Sequence, residues 1–291
     1  MFRGSIVALV TPFRNGAFDE DAFEDLIEWH LAEGTDGFVP VGTTGESPTL
    51  SHAEHERVIE LCIARVAGRA PVIAGTGSNS TDEAISLTRH AKECGADAAL
   101  VVTPYYNKPT QEGLFRHFQA IHDAVDIPLI IYNIPGRSVV DMTADTMARL
   151  AELPRIAGVK DATGDMMRPL WTAERCGPDF CQLTGEDATN LAFLAHGGHG
   201  AISVTANVAP GLCARMQDAW AAGRPGEALE IHRRLAPLHR AMFCETSPAP
   251  VKYALSRLGR CENSLRLPMV ELTPAGRAQV DAALVAAGLI D

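Results

Sequence analysis

An α/β fold, a closed (β/α)8 TIM barrel with a C-terminal helical extension, is predicted by three features of the sequence. Eight short apolar runs lie in the first two thirds of the 291 residues. Amphipathic stretches separate them, and the ends of the second to sixth runs recur about every 30 residues, the length of one strand-plus-helix repeat. Runs that are apolar throughout, rather than alternating with polar residues, belong to a parallel sheet covered by helices, and a count of eight favours closure over an open sheet.

Taken in order, the first strand is expected at 5–10, stopped by Thr11-Pro12. A helix over 19–33 follows, with Phe23, Leu26, Ile27 and Leu31 on one face. The second strand, 37–41, leads to a helix over 53–66, where Ser51 three residues before Glu54 is a capping-box pattern. The third strand, 71–75, leads to a helix over 81–94, with Ser80 and Glu83 in the same relation. Strands four to eight are expected at 98–102, 129–132, 156–160, 181–184 and 200–204. After the eighth the pattern is helical only, over 209–222, 226–243, 248–258 and 274–287. The junction Gly223-Arg224-Pro225-Gly226 divides a barrel, residues 1–222, from a helical domain, residues 223–291.

Apolar residues make up 46% and charged residues 21% of the chain, a balance that excludes disorder, and the net charge of −11 argues against nucleic acid or an anionic membrane as partner. Seven cysteines without a CxxC pair read as reduced thiols rather than a disulfide framework or a zinc site. The N-terminal apolar run is too short for a signal peptide, and no run reaches the roughly 18 residues of a membrane span, so the expected location is the cytoplasm.

Barrels of this kind build their sites at the carboxyl ends of the strands, and here those ends are polar. Lysine is rare, with four against 21 arginines, yet Lys160 closes the apolar sixth strand. Desolvation there would leave the neutral amine that forms a Schiff base with a carbonyl, while an ion pair with Asp161 or Glu186 is the alternative; position alone leaves both open. Three of the four tyrosines, Tyr105, Tyr106 and Tyr132, lie at strand ends, where their hydroxyls can relay protons or merely face water. Thr43 and Thr44 sit in a glycine-flanked turn whose hydroxyls and N–H groups suit a carboxylate, unless it is an ordinary β-turn. Arg137 follows Pro135-Gly136 and could grip a carboxylate with its fork, although surface arginines are common. Dinucleotide-loop, P-loop, GxSxG and HExxH motifs are absent, and His196-Gly197-Gly198-His199 reads as a loop rather than a metal site.

Gly42-Thr43-Thr44-Gly45-Glu46-Ser47, Tyr105-Tyr106-Asn107-Lys108-Pro109, Tyr132-Asn133-Ile134-Pro135-Gly136-Arg137 and Gly158-Val159-Lys160-Asp161 resemble, in order and spacing, the motifs of the 4-hydroxy-tetrahydrodipicolinate synthase (dihydrodipicolinate synthase) family of class I pyruvate aldolases, a superfamily that includes N-acetylneuraminate lyase. The resemblance covers essentially the whole chain. It implies a lyase of lysine (diaminopimelate) biosynthesis that condenses pyruvate with L-aspartate 4-semialdehyde to (4S)-4-hydroxy-2,3,4,5-tetrahydrodipicolinate, with Lys160 forming the Schiff base. It further implies a proton relay of Tyr132, Thr44 and Tyr106, the last reaching a neighbouring subunit's site. Thr43 and Thr44 would hold the pyruvate carboxylate, Arg137 the semialdehyde carboxylate, and the Gly185 carbonyl and Ile202 would line the pocket. No metal or organic cofactor is implied. The implied assembly is a homotetramer, a dimer of dimers, with feedback by L-lysine at Ser47, Pro48, His52, His55, Asn79, Glu83 and Tyr105, where the histidines could accept or donate according to pH. Ser247 stands where several relatives have asparagine, which puts one tail-to-barrel contact in doubt.

Two other readings remain at this point. A related lyase or dehydratase would use the same imine on a sugar-derived 2-keto acid, and Arg137 argues against it. A catalytically dead barrel would have lost the lysine or the tyrosines, and this chain keeps them.

Overall fold

Eight parallel strands close on themselves in the computed structural model, which describes all 291 residues. They are β1 (Gly4–Ala8), β2 (Gly37–Val39), β3 (Ile73–Gly75), β4 (Ala98–Val102), β5 (Leu129–Asn133), β6 (Ile156–Asp161), β7 (Cys181–Thr184) and β8 (Gly200–Ser203). Neighbours run β2-β1-β8-β7-β6-β5-β4-β3, and a bridge between Phe38 and Val72 joins the two ends of that list. The predicted (β/α)8 barrel is therefore present. Around it lie α1 (Glu20–Ala32), α2 (His52–Val66), α3 (Thr81–Cys94), α4 (Gln111–Ala124), α5 (Ala144–Ala151), α6 (Arg168–Cys176), α7 (Asn190–Ala195) and α8 (Pro210–Ala221).

Strand side chains alternate between two cores, as the period of two requires. Ile6, Leu100, Ile130, Tyr132, Leu183 and Ile202 fill the barrel interior, while Val101, Leu129 and Ile131 face the helices. That alternation fixes which residues can reach the barrel mouth.

Three local features depart from expectation. Strand β2 stops at Val39 because Val41 turns into the left-handed region at φ 49°, opening the loop that follows. A two-stranded hairpin, Phe13–Arg14 with Ala17–Phe18, is made by Asn15-Gly16 at φ 53° and 80°, the pairing that suits a type I′ turn; its arms are too short to show a hydrophobic alternation. At the start of α2 the reciprocal capping box of Ser51 and Glu54 forms. At α3 only half of it forms: Ser80 accepts from the Glu83 N–H, while the Glu83 carboxylate turns to Ser78 and His52.

The tail comprises α9 (Pro225–Ala241), α10 (Ala249–Arg257) and α11 (Pro274–Ala286). Its Leu235, Leu238, Val251 and Leu284 share one core with Phe13, Phe23, Phe38 and Val58 of the barrel. A polar strap runs beside that core. Lys252, its side chain fully buried, pairs with Glu46, whose side chain is 1% exposed, and its ammonium lies 3.9 Å from the Phe13 ring centroid. Burial pushes the Lys252 amine below its ordinary range, and the Glu46 carboxylate opposes that shift. The Arg266 N–H donates to Glu46 at 3.1 Å, and the guanidinium donates to Glu54 at 2.8 Å and to the Thr49 carbonyl at 3.0 Å. The tail thus meets the barrel through Lys252 and Arg266, whatever Ser247 contributes. All seven cysteines are free, and no helix is long and apolar enough to cross a membrane.

Candidate active site

Register places the two central side chains. Tyr132 on β5 is the direct partner of Lys160 on β6, so both point inward at one level of the barrel. Each is 6% exposed, and the Lys160 Nζ lies 4.1 Å from the Tyr132 ring centroid. The ion pairs weighed for this lysine do not form. Asp161, next along the strand, faces the other way and binds Arg168 at 3.3 Å and the Thr163 N–H at 3.0 Å. Glu186 has its carboxyl pushed up, first by burial and then by Asp187. Gly185 is what leaves room for the amine: a Cβ there would stand 2.9 Å from the Lys160 Cε. Ile202 lies fully buried in the same interior cluster as Tyr132.

The turn carrying Thr43 and Thr44 is bounded by two non-glycine residues in the left-handed region, Val41 at φ 49° and Glu46 at φ 54°, a strain that surrounding structure must hold. Gly42 accepts from the Gly45 N–H at 3.1 Å, and Thr11 donates its hydroxyl to the Gly45 carbonyl at 2.7 Å. The N–H groups of Thr43 and Thr44 bind nothing within the chain. A strained loop offering two free amide donors is the arrangement that receives a carboxylate. Glu46, anchored on Lys252, closes the turn from beneath, a contact that the sequence does not announce because its partners lie so far apart along the chain.

A cleft of about 230 Å³ opens beside this turn, with Thr43, Gly77, Val102, Ile134 and Arg137 among its walls, together with Ser47, Pro48 and Tyr105. Arg137 sits on the single helical turn Pro135–Ser138 and forms no ion pair, so its guanidinium is free for an anion. The turn is braced by the Ser138 hydroxyl, which donates to the Ile134 carbonyl at 2.9 Å and accepts from Thr103 at 3.1 Å. Lys160, Tyr132 and Thr44 are packed deeper than these walls. Tyr106 is apart from all of them: it is 89% exposed and held at φ 72°.

The other predicted set gathers at the N-terminal ends of α2 and α3. His52 Nε2 lies 2.9 Å from Glu83, the Asn79 amide donates to the Tyr105 carbonyl at 3.2 Å, and Asn107 donates to the Asn79 carbonyl at 2.8 Å. The Ser78 hydroxyl and, less strongly, His52 hold the Glu83 carboxyl below its usual range. Burial and then the Glu83 charge push the Tyr105 phenol up. His55 corrects one expectation: it is buried, and burial lowers it to about 4, so it stays neutral through the range in which a pH-dependent donor would act. The His199 Nδ1 accepts from the Gln182 N–H at 3.0 Å, which commits that histidine to the sheet rather than to a metal.

One site-ordering residue was not anticipated. Asp187, buried beyond β7, accepts from the Val204 and Thr205 N–H groups at 2.9 and 2.8 Å and so fixes the chain just after β8, next to Ile202. Its acidic character at a strand end was visible; its partners were not.

Over 290 residues, covering 100% of both chains, the sequence is 71% identical to the 4-hydroxy-tetrahydrodipicolinate synthase of Rhodospirillum centenum. The crystal structure of the chloride-inhibited dihydrodipicolinate synthase of Acinetobacter baumannii, complexed with pyruvate, superposes with a TM-score of 0.97 at 47% identity, covering 100% of each chain. That of the Cyanidioschyzon merolae enzyme with lysine bound gives a TM-score of 0.96 at 40% identity, covering 99% of each. The barrel mouth with its unpaired lysine against a tyrosine ring lies in a sequence that the model of the dihydrodipicolinate synthetase family matches over residues 1–287, and the chain belongs to that family.

Proposed function

We propose that this protein is the lyase that condenses pyruvate with L-aspartate 4-semialdehyde to (4S)-4-hydroxy-2,3,4,5-tetrahydrodipicolinate, the first committed step of lysine (diaminopimelate) biosynthesis. The observation that carries the reading is the buried, unpaired amine of Lys160 against the Tyr132 ring. Lys160 adds to the pyruvate C2 carbonyl, and the carbinolamine loses the carbonyl oxygen as water to give the imine. A proton leaves C3, and the resulting enamine attacks the semialdehyde's aldehyde carbon, whose oxygen becomes the C4 hydroxyl. The semialdehyde's own amine then replaces Lys160 at C2, closing the ring and freeing the enzyme, so that one water is released in all. No metal or organic cofactor enters these steps.

Tyr132 and Thr44, with Tyr106 from a neighbouring subunit, move the protons of dehydration and enamine formation. The free N–H groups of Thr43 and Thr44 take the pyruvate carboxylate, and Gly185 and Ile202 shape the wall around the imine. The proposed assembly is a homotetramer, a dimer of dimers, in the cytoplasm; the exposed, left-handed Tyr106 supports association with another copy, since an aromatic ring held in solvent at a conformational cost fits a residue whose site is on that copy. A sugar-derived 2-keto acid is the weaker alternative, since the cleft beside Arg137 is small and its guanidinium suits a short carboxylate. Incubation with pyruvate and borohydride should reduce the imine to a stable adduct at Lys160, located by peptide mass; an adduct elsewhere, or recovery of unmodified Lys160, overturns the mechanism.

Arg137→Ala separates the two substrates. Pyruvate should still be trapped by borohydride, while the semialdehyde KM rises about tenfold or more through loss of a charge-assisted bidentate contact. Loss of trapping would assign Arg137 to pyruvate or to the fold.

L-lysine is proposed as the feedback inhibitor, bound among Ser47, Pro48, His52, His55, Asn79, Glu83 and Tyr105. The Glu83 carboxylate can receive an ammonium, and Tyr105 and Tyr106 share one loop, which couples the pocket to the relay. Steady-state rates with and without lysine should differ in the unmodified enzyme and coincide in Glu83→Ala. An enzyme indifferent to saturating lysine would refute the assignment.

A further inference from the structure

On the outer face of the barrel, away from the cleft, α2 and α3 bring three donor atoms of different softness together. The Cys94 Sγ lies 3.3 Å from the His90 Nε2, the His90 Nε2 lies 3.7 Å from a Glu60 carboxylate oxygen, and all three atoms fall within 4.8 Å of one another. The two helices run side by side in the same direction, so the His52–Glu83 contact near their N-termini is followed, about 11–12 Å further down, by this second contact. We propose that Glu60, His90 and Cys94 form a binding site for a divalent transition metal of the zinc class, through one carboxylate oxygen, one imidazole nitrogen and one thiolate sulfur, with a fourth position for water.

Two of the three separations are close to those a tetrahedral ion would impose, and the third is within 4.8 Å. Bonds of about 2.0–2.3 Å to oxygen, nitrogen and sulfur separate the ligand atoms by about 3.4–3.6 Å. Two of the observed separations lie within about 0.2 Å of that range, so the ion needs only a small movement of the exposed Glu60 side chain. His90 and Cys94 stand four residues apart, on one face of α3, and Glu60 comes from the neighbouring helix, so an ion would cross-link the pair. A sulfur and an imidazole nitrogen select zinc or cobalt over magnesium or calcium.

The surrounding charge is mostly acidic, with one cation near: Arg57 lies 3.9 Å from the second Glu60 oxygen and leaves the first to face His90. Glu56 and Glu60 on α2 and Glu93 on α3 all act on Cys94, and with burial as the larger cause they push its thiol above the ordinary range. Above the site, His55 on α2 is neutral and adds no opposing charge. Binding replaces the thiol proton by the metal and releases that proton to solvent. Without a metal, the same three groups would amount to a weak contact of the thiol with the imidazole beside a long imidazole–carboxylate contact.

The full chain, freed of metal with a chelator, is titrated with CoCl2 and then ZnCl2. One equivalent of cobalt per chain should produce a thiolate-to-cobalt charge-transfer band, which zinc abolishes. The band should be missing in Cys94→Ser and need at least tenfold more cobalt in Glu60→Gln, whose exposed side chain leaves the fold undisturbed. Zinc at 100-fold excess over Kd should raise the Tm by about 3 °C or more in the unmodified chain and leave Cys94→Ser unmoved. No band at saturating cobalt, a band that survives in Cys94→Ser, or an equal Tm rise with MgCl2 would each overturn the site.

Discussion

Lys160→Ala is expected to lower turnover by about a thousandfold or more, because no other amine can take its place and what remains is the binding of two substrates beside each other. The buried aliphatic stem of Lys160 packs toward Gly185 and Tyr132, so its removal opens a small void rather than exposing an orphaned charge: no carboxylate in the barrel mouth depends on it. The Tm should therefore fall by only a few degrees while borohydride trapping with pyruvate disappears. Turnover within tenfold of the unmodified enzyme, in a protein whose circular dichroism is unchanged, would remove Lys160 from the mechanism.

The largest effect on stability is expected from Lys252→Met. The substitution keeps most of the apolar stem but leaves the Glu46 carboxylate buried with only the Arg266 N–H to bind. Breaking a buried pair on one side costs about 3–5 kcal/mol, far more than loss of an exposed pair such as Arg57–Glu20. Denaturant unfolding should show that loss. The double variant Glu46→Gln with Lys252→Met should recover part of it, since no unpaired charge is then buried. Because Glu46 ends the Thr43–Thr44 turn, the single variant should also raise the pyruvate KM. A stability change under 1 kcal/mol would mean that water reaches the pair.

The strands were legible because barrel interiors demand unbroken apolar runs, and the roles of Lys160 and Tyr132 were suggested by polar residues ending such runs. Adjacent residues on a strand face opposite sides, which explains why Asp161, so close in sequence to Lys160, binds Arg168 instead. Capping was legible for Ser51 and only half so for Ser80, because the Glu83 carboxylate had a competing partner on α2 that no local pattern reveals. His55 illustrates the same limit: an i, i+3 pair on a helix states periodicity, and only the packing of the neighbouring strand decides which of the two is buried. Long-range polar partners, Glu46 with Lys252 and Asp187 with the chain after β8, leave no periodic trace at all.

The strap across Glu46 also orders events during synthesis of the chain. Arg266 lies 220 residues after Glu46, and at typical translation rates the interval between them is roughly 10–45 s. Through that interval the nascent loop holding Thr43 and Thr44 carries a carboxylate that must stay in water, since the amine that accompanies it into the core has not yet left the ribosome. The substrate-facing turn, among the first segments made, is thus among the last to set.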